Sequence, residues 1–556
     1  MINYNRIISL LILYSGLNYV SLAQDPTWEK TEEGEIENAS FIVEKERQIE
    51  LPAEARKFEK IPPLPIDQNV KQVQPYSFAI FYPEMSNLTI RNRAMKLKDE
   101  PLDKLFGGTL NVGFGNYATP YIEADYFNKR ENRYLIGVNA THLSSRKGPV
   151  DKENSGNGYS RLKFYSEFFN PTINSGITAM YKRSFYHFYG YPENSNINED
   201  SIRRKFDHFN ISGKLGNNNK NDDFDYDLGL QFNYINDNFE SSESDFKLNL
   251  ESGLSLRDDL QFLLDGDINV TSYKFEGTLN RNLIRIKPLV YYRFNEFDLK
   301  AGLNFIIQND TINSRGDVLL YPMVTIDYYL NDFYNMFLTI DGDIEKVSFR
   351  DIIYENPYVI PGAPLLHTNK KFGLHWGIKG NLMNYLNFTA GFTLSEYKDM
   401  YFYQNDSLNI STFNILYNHK NTSLFNIYGE LIFSRIKQYH LSFRADYFNY
   451  STKDLLAPWH KPSYQISTHI NYSLYEKIVF GANIYFMGGI KAYDWLNDRT
   501  LTLDPIADLN FDINYRFSDQ LGAFLKFDNI LGKNYQRYFR YPSRGIQVMV
   551  GATFNF

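Results

Sequence analysis

Cysteine is absent from the 556 residues. That removes disulfides, thiolate metal sites, a Cys nucleophile and the acylated N-terminus of a lipoprotein. Long apolar runs are missing too. A helical membrane protein needs about 20 consecutive apolar residues per span, and the mean hydropathy here is −0.43. A basic excess is also lacking: 58 Lys and Arg face 65 Asp and Glu, a net charge of −7, which argues against a nucleic-acid partner. No Gly-rich phosphate loop leads from a strand into a helix, so nucleotide binding has no support.

Aromatics, by contrast, are abundant. They make up 17% of the chain, with 44 Tyr and 44 Phe, residues that favour strands and membrane interfaces. A transmembrane β-barrel reconciles this with low hydropathy, because polar lumen residues alternate with its apolar lipid face. Residues 1–23 carry Arg6, an apolar run over 7–14 and Ser21, Leu22 and Ala23 before Gln24, the pattern of a secretory signal peptide. Residues 24–106 are Glu-rich and then punctuated by Pro52, Pro62, Pro63, Pro65 and Pro75. They read as an extended periplasmic segment. Its short apolar patches, Phe41 to Val43 and Phe78 to Tyr82, either dock on a partner or belong to a tethered leader.

From 107 to 556 alternating segments recur, and tight connections alternate with long ones. Tight turns fall at Asn170 and Pro171, Arg257 and Asp258, Asn295 and Glu296, and Glu476 and Lys477. Long ones fall at 145–158, 191–203, 308–317, 349–371 and 452–462. The expected fold is therefore all-β: a transmembrane antiparallel barrel of about 22 strands with short periplasmic turns and long extracellular loops. Phe413 to Tyr417 reads as a further strand, but counting it would put the later tight turns on the outer side; it is assigned to a hairpin in an outer loop.

Facing agrees. Leu509, Phe511, Ile513, Tyr515 and Phe517 oppose Asp508, Asn510, Asp512, Asn514 and Arg516. Burying such an ionic row in a soluble core costs several kcal/mol per unpaired ion, whereas a wet lumen hydrates it. Asp508, Asp512 and Arg516, with Asp265 and Asp267, are the expected lumen-lining residues. Catalysis by such carboxylates, a metal site among the nine histidines and any cofactor are not expected. The clusters Phe185 to Tyr191 and Tyr401 to Tyr403 belong either to a ligand vestibule or to a membrane-interface girdle.

The closing hairpin resembles that of TonB-dependent outer-membrane receptors. The carrying residues are Phe527 to Tyr535, with Asn529, Leu531 and Tyr535; then Pro542 and Gly545; then the last strand ending at Phe554 and Phe556. The resemblance implies a 22-stranded barrel, Phe554 and Phe556 as a signal to the barrel assembly machinery, a setting among outer-membrane lipids, and nutrient uptake energised by TonB. Family members fill the lumen with an N-terminal plug, and a compact domain needs about 100 residues. The Pro-rich 24–106 segment shows no plug pattern, so the lumen is expected to be blocked by the leader and outer loops or by a separate plug or partner protein. Two functions follow as expectations: a solute-uptake barrel, or a non-transporting subunit of an outer-membrane complex.

Overall fold

The computed structural model describes residues 105–556, apart from 130, 194, 218–222, 311–314, 384 and 436–437. The expected signal peptide, the plug question and the Phe41 to Val43 and Phe78 to Tyr82 patches lie outside the described residues.

Strands make nearly all of it. β1 (Gly108–Gly115) turns back directly into β2 (Thr119–Phe127). There follow β3 (Tyr134–Ser145), β4 (Asn157–Phe169), β5 (Ile173–His187), β6 (Arg203–Asn217), β7 (Phe224–Asp237) and β8 (Ser242–Arg257). Next come β9 (Leu260–Phe275), β10 (Gly277–Phe294), β11 (Phe297–Asp310), β12 (Arg315–Asn331), β13 (Tyr334–Glu345) and β14 (Thr368–Leu382). The wall continues with β15 (Leu386–Asn405), β16 (Phe413–Arg435), β17 (Tyr439–Ser451), β18 (Tyr464–Leu474) and β19 (Ile478–Gly488). The small hairpin β20 (Lys491–Asp494) and β21 (Arg499–Thr502) stands in an outer loop before β22 (Ile506–Arg516) and β23 (Leu521–Asp528). A second, β24 (Gln536–Tyr538) and β25 (Tyr541–Pro542), precedes the last strand β26 (Gln547–Asn555).

Twenty-two of these strands form one antiparallel sheet that closes on itself where β1 pairs with β26. Closure leaves no unpaired edge, which is what hydrocarbon demands of a spanning sheet. No helix among the described residues is long and apolar enough to cross a membrane; the crossing is made by strands.

Side-chain exposure is inverted relative to a soluble protein. Along β6, Phe209 and Ile211 are 41% and 42% exposed, while Phe206 and His208 between the same backbone repeats are 2% and 5% exposed. The outward rows of the neighbouring strands repeat the pattern with Leu162, Phe164, Ile268, Val270, Phe305 and Ile307, an apolar band facing lipid.

Phe413 to Tyr417 proves to be the outer end of a single strand. β16 runs unbroken from Phe413 and pairs with β15 throughout, including Tyr401 with Tyr417 and Gln404 with Asn414. The ladder passes from Lys398 opposite Asn421 to Met400 opposite Asn418, so β16 carries one extra residue. That bulge reverses its alternation. Below it the buried inward residues are Thr422 and Asn426; above it they are Phe413, Ile415 and Tyr417. The excluded membrane crossing was rightly excluded, and the broken phase explains why the segment read as separate.

At the seam Leu110 lies opposite Phe554. The Phe556 carbonyl accepts from the Gly107 and Gly108 amides at 2.9 and 3.1 Å, and the Phe556 amide donates to the Gly108 carbonyl at 3.0 Å. The Phe556 ring lies across Gly108, where a Cβ would fall 2.3 Å from ring carbon. Deleting Phe556 removes all three bonds at the rim. The expected result is severalfold less heat-modifiable barrel in the outer membrane, measured by semi-native electrophoresis; equal abundance would contradict the assembly role.

Candidate functional site

The longest irregular outer connection, 346–367, folds inward. Its helix Phe349–Glu355 starts at Ser348, whose hydroxyl accepts the Asp351 amide at 3.1 Å. A second cap comes from the wall: Glu243 on β8 accepts the Phe349 and Arg350 amides at 2.8 and 3.4 Å. A carboxylate there meets the positive end of the helix.

This loop leaves β13 and β14 and packs on the inner face of β6 to β10. Phe349, Ile352, Ile353, Val359 and Leu365 are buried with Phe206, Ile235 and Tyr273 of that wall. Gly362, at φ 69°, lies against the Phe275 ring and donates its amide to Ser241 Oγ at 3.3 Å. Charged pins surround the apolar seat. Arg204 pairs with Asp237 at 2.7 Å, both buried, and donates to the carbonyls of Val359 and Pro357. Arg281 donates to the Val347 carbonyl and to His367 Nδ1, each at 2.7 Å, and Lys346 pairs with Asp245.

The far end of the helix meets the remaining outer loops at Glu355. Its carboxylate accepts from the Tyr401 and Tyr403 hydroxyls at 2.6 and 2.9 Å and from Lys461 at 3.0 Å; its carbonyl accepts from the Tyr538 hydroxyl at 2.6 Å. Burial opposes ionisation here, but Lys461 and the two phenols outweigh it and hold the carboxyl below its usual range. Beside it Tyr358 stacks on Tyr541 with centroids 3.7 Å apart, and Tyr189 packs edge-on at 5.8 Å. Tyr541 also reaches the Ser411 carbonyl.

His460 completes the closure. Its Nδ1 donates to the Tyr403 carbonyl at 2.7 Å, its Nε2 accepts the Phe539 amide at 3.2 Å, and Phe413 meets the ring edge-on at 5.2 Å. Both bonds require the neutral tautomer with hydrogen on Nδ1. Burial pushes the imidazole down to about 3. Loops that follow β5, β13, β15, β17 and β23 thus converge on one packed lid, with partners on opposite sides of the barrel. Tyr403 is buried in this lid core and Tyr186, Tyr189 and Tyr401 pack against it, so of the two readings of these clusters the interface girdle is set aside.

Below the lid the wall is ionic and largely self-compensated. Asp267 holds Arg285 at 2.8 Å; Arg285 and Lys287 both reach Asp343, at 3.2 and 3.3 Å; Asp341 holds Lys370 at 2.8 Å. Asp265 has Glu251 and Lys287 as cross-strand neighbours. Asp512 accepts from Asn514 at 2.9 Å, and Asp508 from the Tyr535 hydroxyl at 2.9 Å. Arg516 sits at the periplasmic end, where it donates to the Glu476 carbonyl. No cluster of three or more metal-ligating side chains occurs among the described residues.

The closing-hairpin residues have structural tasks. Asn529, at φ 50° and buried, donates to the carbonyls of Lys533 and Arg544, both at 2.7 Å, tying the two ends of the last outer loop together. Tyr535 anchors that loop on Asp508, and the Pro542 carbonyl accepts from Tyr189 at 3.2 Å. Leu531 is half exposed, and Gly545 lies near the Tyr117 hydroxyl. The lid helix escaped the sequence reading, although Ser348, Asp351 and the spacing of Phe349, Ile352 and Ile353 are its local signal.

A closed 22-stranded barrel with an apolar outer band, an ionic lumen and a folded loop lid is the architecture of a large transmembrane β-barrel. No protein-family model and no curated protein matches the sequence. Solved structures do match in fold. The pyoverdine outer membrane receptor FpvA of Pseudomonas aeruginosa aligns at TM-score 0.61 and 12% identity, over 82% of this chain and 79% of its own. The ferric-catecholate import receptor Fiu of Escherichia coli K12 gives 0.61 and 9%, over 82% of each chain. The FrpB iron transporter of Neisseria meningitidis gives 0.62 and 10%, again over 82% of each. By their descriptions these neighbours are an outer-membrane receptor, an import receptor and an iron transporter, and at 9 to 12% identity the likeness is one of fold. The resemblance first seen in the closing hairpin therefore extends to the fold of the whole barrel.

Acid should loosen the lid. His460 is neutral in the closed lid, so its contribution is complete above about 6.5, the ordinary imidazole value, and is lost as pH falls toward 3. Glu355, depressed in the lid, adds to the loss at lower pH. Between pH 6.5 and 5 the loss of the His460 contribution alone amounts to about 1.6 kcal/mol. Hydrogen exchange corrected for intrinsic rates should show protection at 349–359 and 536–541 falling about 16-fold over that interval; unchanged protection would refute the linkage.

Proposed function

We propose that this chain is an outer-membrane uptake receptor whose solute path is shut at the outer mouth by the inward-folded 346–367 loop. The signal peptide at 1–23 exports it, the assembly machinery reads Phe554 and Phe556, and outer-membrane lipids wet the apolar band. Residues 24–106 form the periplasmic arm through which TonB, or a separate plug or partner protein, acts. The observation that carries this reading is the lid itself. Loops from opposite walls are joined by buried charge and aromatic contacts at Glu355, Arg204 and Tyr358, inside a barrel shared in fold with import receptors.

A second reading, a non-transporting subunit of an outer-membrane complex, is favoured by one feature. Leu408 and Leu456, 95% and 88% exposed, and Leu496, 59% exposed, all stand on outer loops, and Trp495 bonds to the Asn405 carbonyl at 2.6 Å to link two of these loops. Exposed leucines on loops of the outer face suit a partner.

Planar-bilayer conductance separates the two. Replacing residues 348–364 by a short Gly-Ser linker should raise conductance at least tenfold over the intact chain, both with and without residues 24–106. Equal conductance of intact and lidless protein would sink the uptake reading. Stable co-purification with a large complex, with no solute-linked effect of lid removal, would favour the subunit.

A further inference from the structure

Beneath the lid, where β3 and β4 face the start of β26, lies a cavity of about 310 Å³. A second of about 150 Å³ continues past Arg544, and the two share Asn157, Tyr186, Arg544 and Gln547. The larger is at the lower end of the size of small-molecule sites, roughly 300 to 1,000 Å³. Its mixed lining of tyrosine, amide and charged groups suits a polar ligand.

Arg544 enters this space in an unusual state. Its Nε donates to the Lys147 carbonyl at 3.3 Å, Nη1 to Gln547 Oε1 at 3.4 Å and Nη2 to Asn157 Oδ1 at 2.5 Å. All three acceptors are neutral. A guanidinium has five N–H donors, so one on each terminal nitrogen remains, the pair that a carboxylate takes as a fork. Among the described residues no carboxylate lies within 4 Å of Arg544, whereas the buried Arg204 and the partly buried Arg285 both have one. Asp528 lines the larger cavity from its exposed edge and makes no hydrogen bond or ion pair within 4 Å among the described residues, although the charges of Lys526, Asp508 and Asp512 act on it from farther away. One cation and one anion therefore border the same cavity, Asp528 at its open edge, without pairing with each other.

We propose that this cavity binds a small zwitterion, an amino acid or dipeptide, with its carboxylate on Arg544 and its ammonium group at Asp528. The inference deepens the uptake reading by naming its solute class, and it rests on that reading for the meaning of the bound ligand. Each end of the ligand gains a direct ion pair that the cavity's own residues do not supply, while Tyr159 and Tyr186 also line the cavity. An anion alone would face Asp528, and a cation alone would face Arg544.

Isothermal titration of the full chain in detergent tests this with L-alanyl-L-alanine, N-acetyl-L-alanine and L-alaninamide as probes. The dipeptide should bind at least tenfold tighter than either one-charged probe. Asp528→Asn should abolish the preference over N-acetyl-alanine while keeping binding of that probe, and Arg544→Gln should abolish the preference over alaninamide. Heat-modifiable mobility checks that both variants remain folded; should Arg544→Gln misfold, Arg544→Lys replaces it, retaining charge but losing the fork and so weakening the dipeptide severalfold. A dipeptide no tighter than the one-charged probes, or binding indifferent to Asp528→Asn, overturns the proposal. Lid-dependent conductance would be untouched by that result, so failure here is distinct from failure of the uptake reading.

Discussion

Every backbone amide and carbonyl of a strand in hydrocarbon must find a partner in the sheet, because lipid supplies none. The rest of this molecule follows from that constraint. It forces β26 back onto β1, and it makes the three bonds between Phe556 and Gly107 and Gly108 the last stitches of a ring rather than a frayed terminus. A ring of 22 strands is too wide for wall side chains to fill. Something else has to occupy the lumen. On the outer side the chain uses its own loops, and the 346–367 segment is long enough to leave one wall and lie on another.

The way this lid is fastened bears on whether it can open. Apolar burial of Ile352, Ile353 and Val359 supplies area, but area alone is non-directional and would let the loop slide along the wall. Direction comes from charge. Arg204 with Asp237, and Glu355 with Lys461 and its tyrosines, are costly to desolvate and gain little net stability over an apolar isostere. The same groups recover hydration when exposed. A lid pinned by ions therefore resists disorder while closed and pays less to separate than a wholly apolar plug of equal area. Neutral His460, bonded at both nitrogens, adds a constraint on register without adding charge.

What could be read from the chain follows the range of the interactions involved. The wall is local: period-two rows such as Leu509 to Phe517 against Asp508 to Arg516 reveal facing without knowledge of any other strand. Turn lengths then give parity and count. The lid is not local. Tyr186 and Tyr401 sit in strings of aromatics whose inward or outward direction depends on loops far away in sequence, and the bulge in β16 shifts the phase of Phe413 to Tyr417 just where local alternation is being used to infer facing. The helix Phe349–Glu355 is too short for its periodicity to stand out, though Ser348 marks its start. Arg544 showed nothing special in sequence; its uncompensated state depends on which groups surround it.

The same division of range explains what the family resemblance carries. Asn529, Tyr535 and Pro542 hold the last outer loop in shape and seat it on β22 and on Tyr189, so their pattern reports how a barrel of this kind closes. They touch the wall and the lid rather than the enclosed space between. At 9 to 13% identity to receptors of the same fold, the shared feature is a wall whose repeating chemistry many sequences satisfy. Solute identity has to come from side chains that converge only after folding. Arg544 and Asp528 are of that kind: they flank the last outer loop at its two ends, and the Asn529 tie to the Arg544 carbonyl brings those ends to one cavity. The residues that make the barrel recognisable thus also position, without themselves being, the charges that distinguish it.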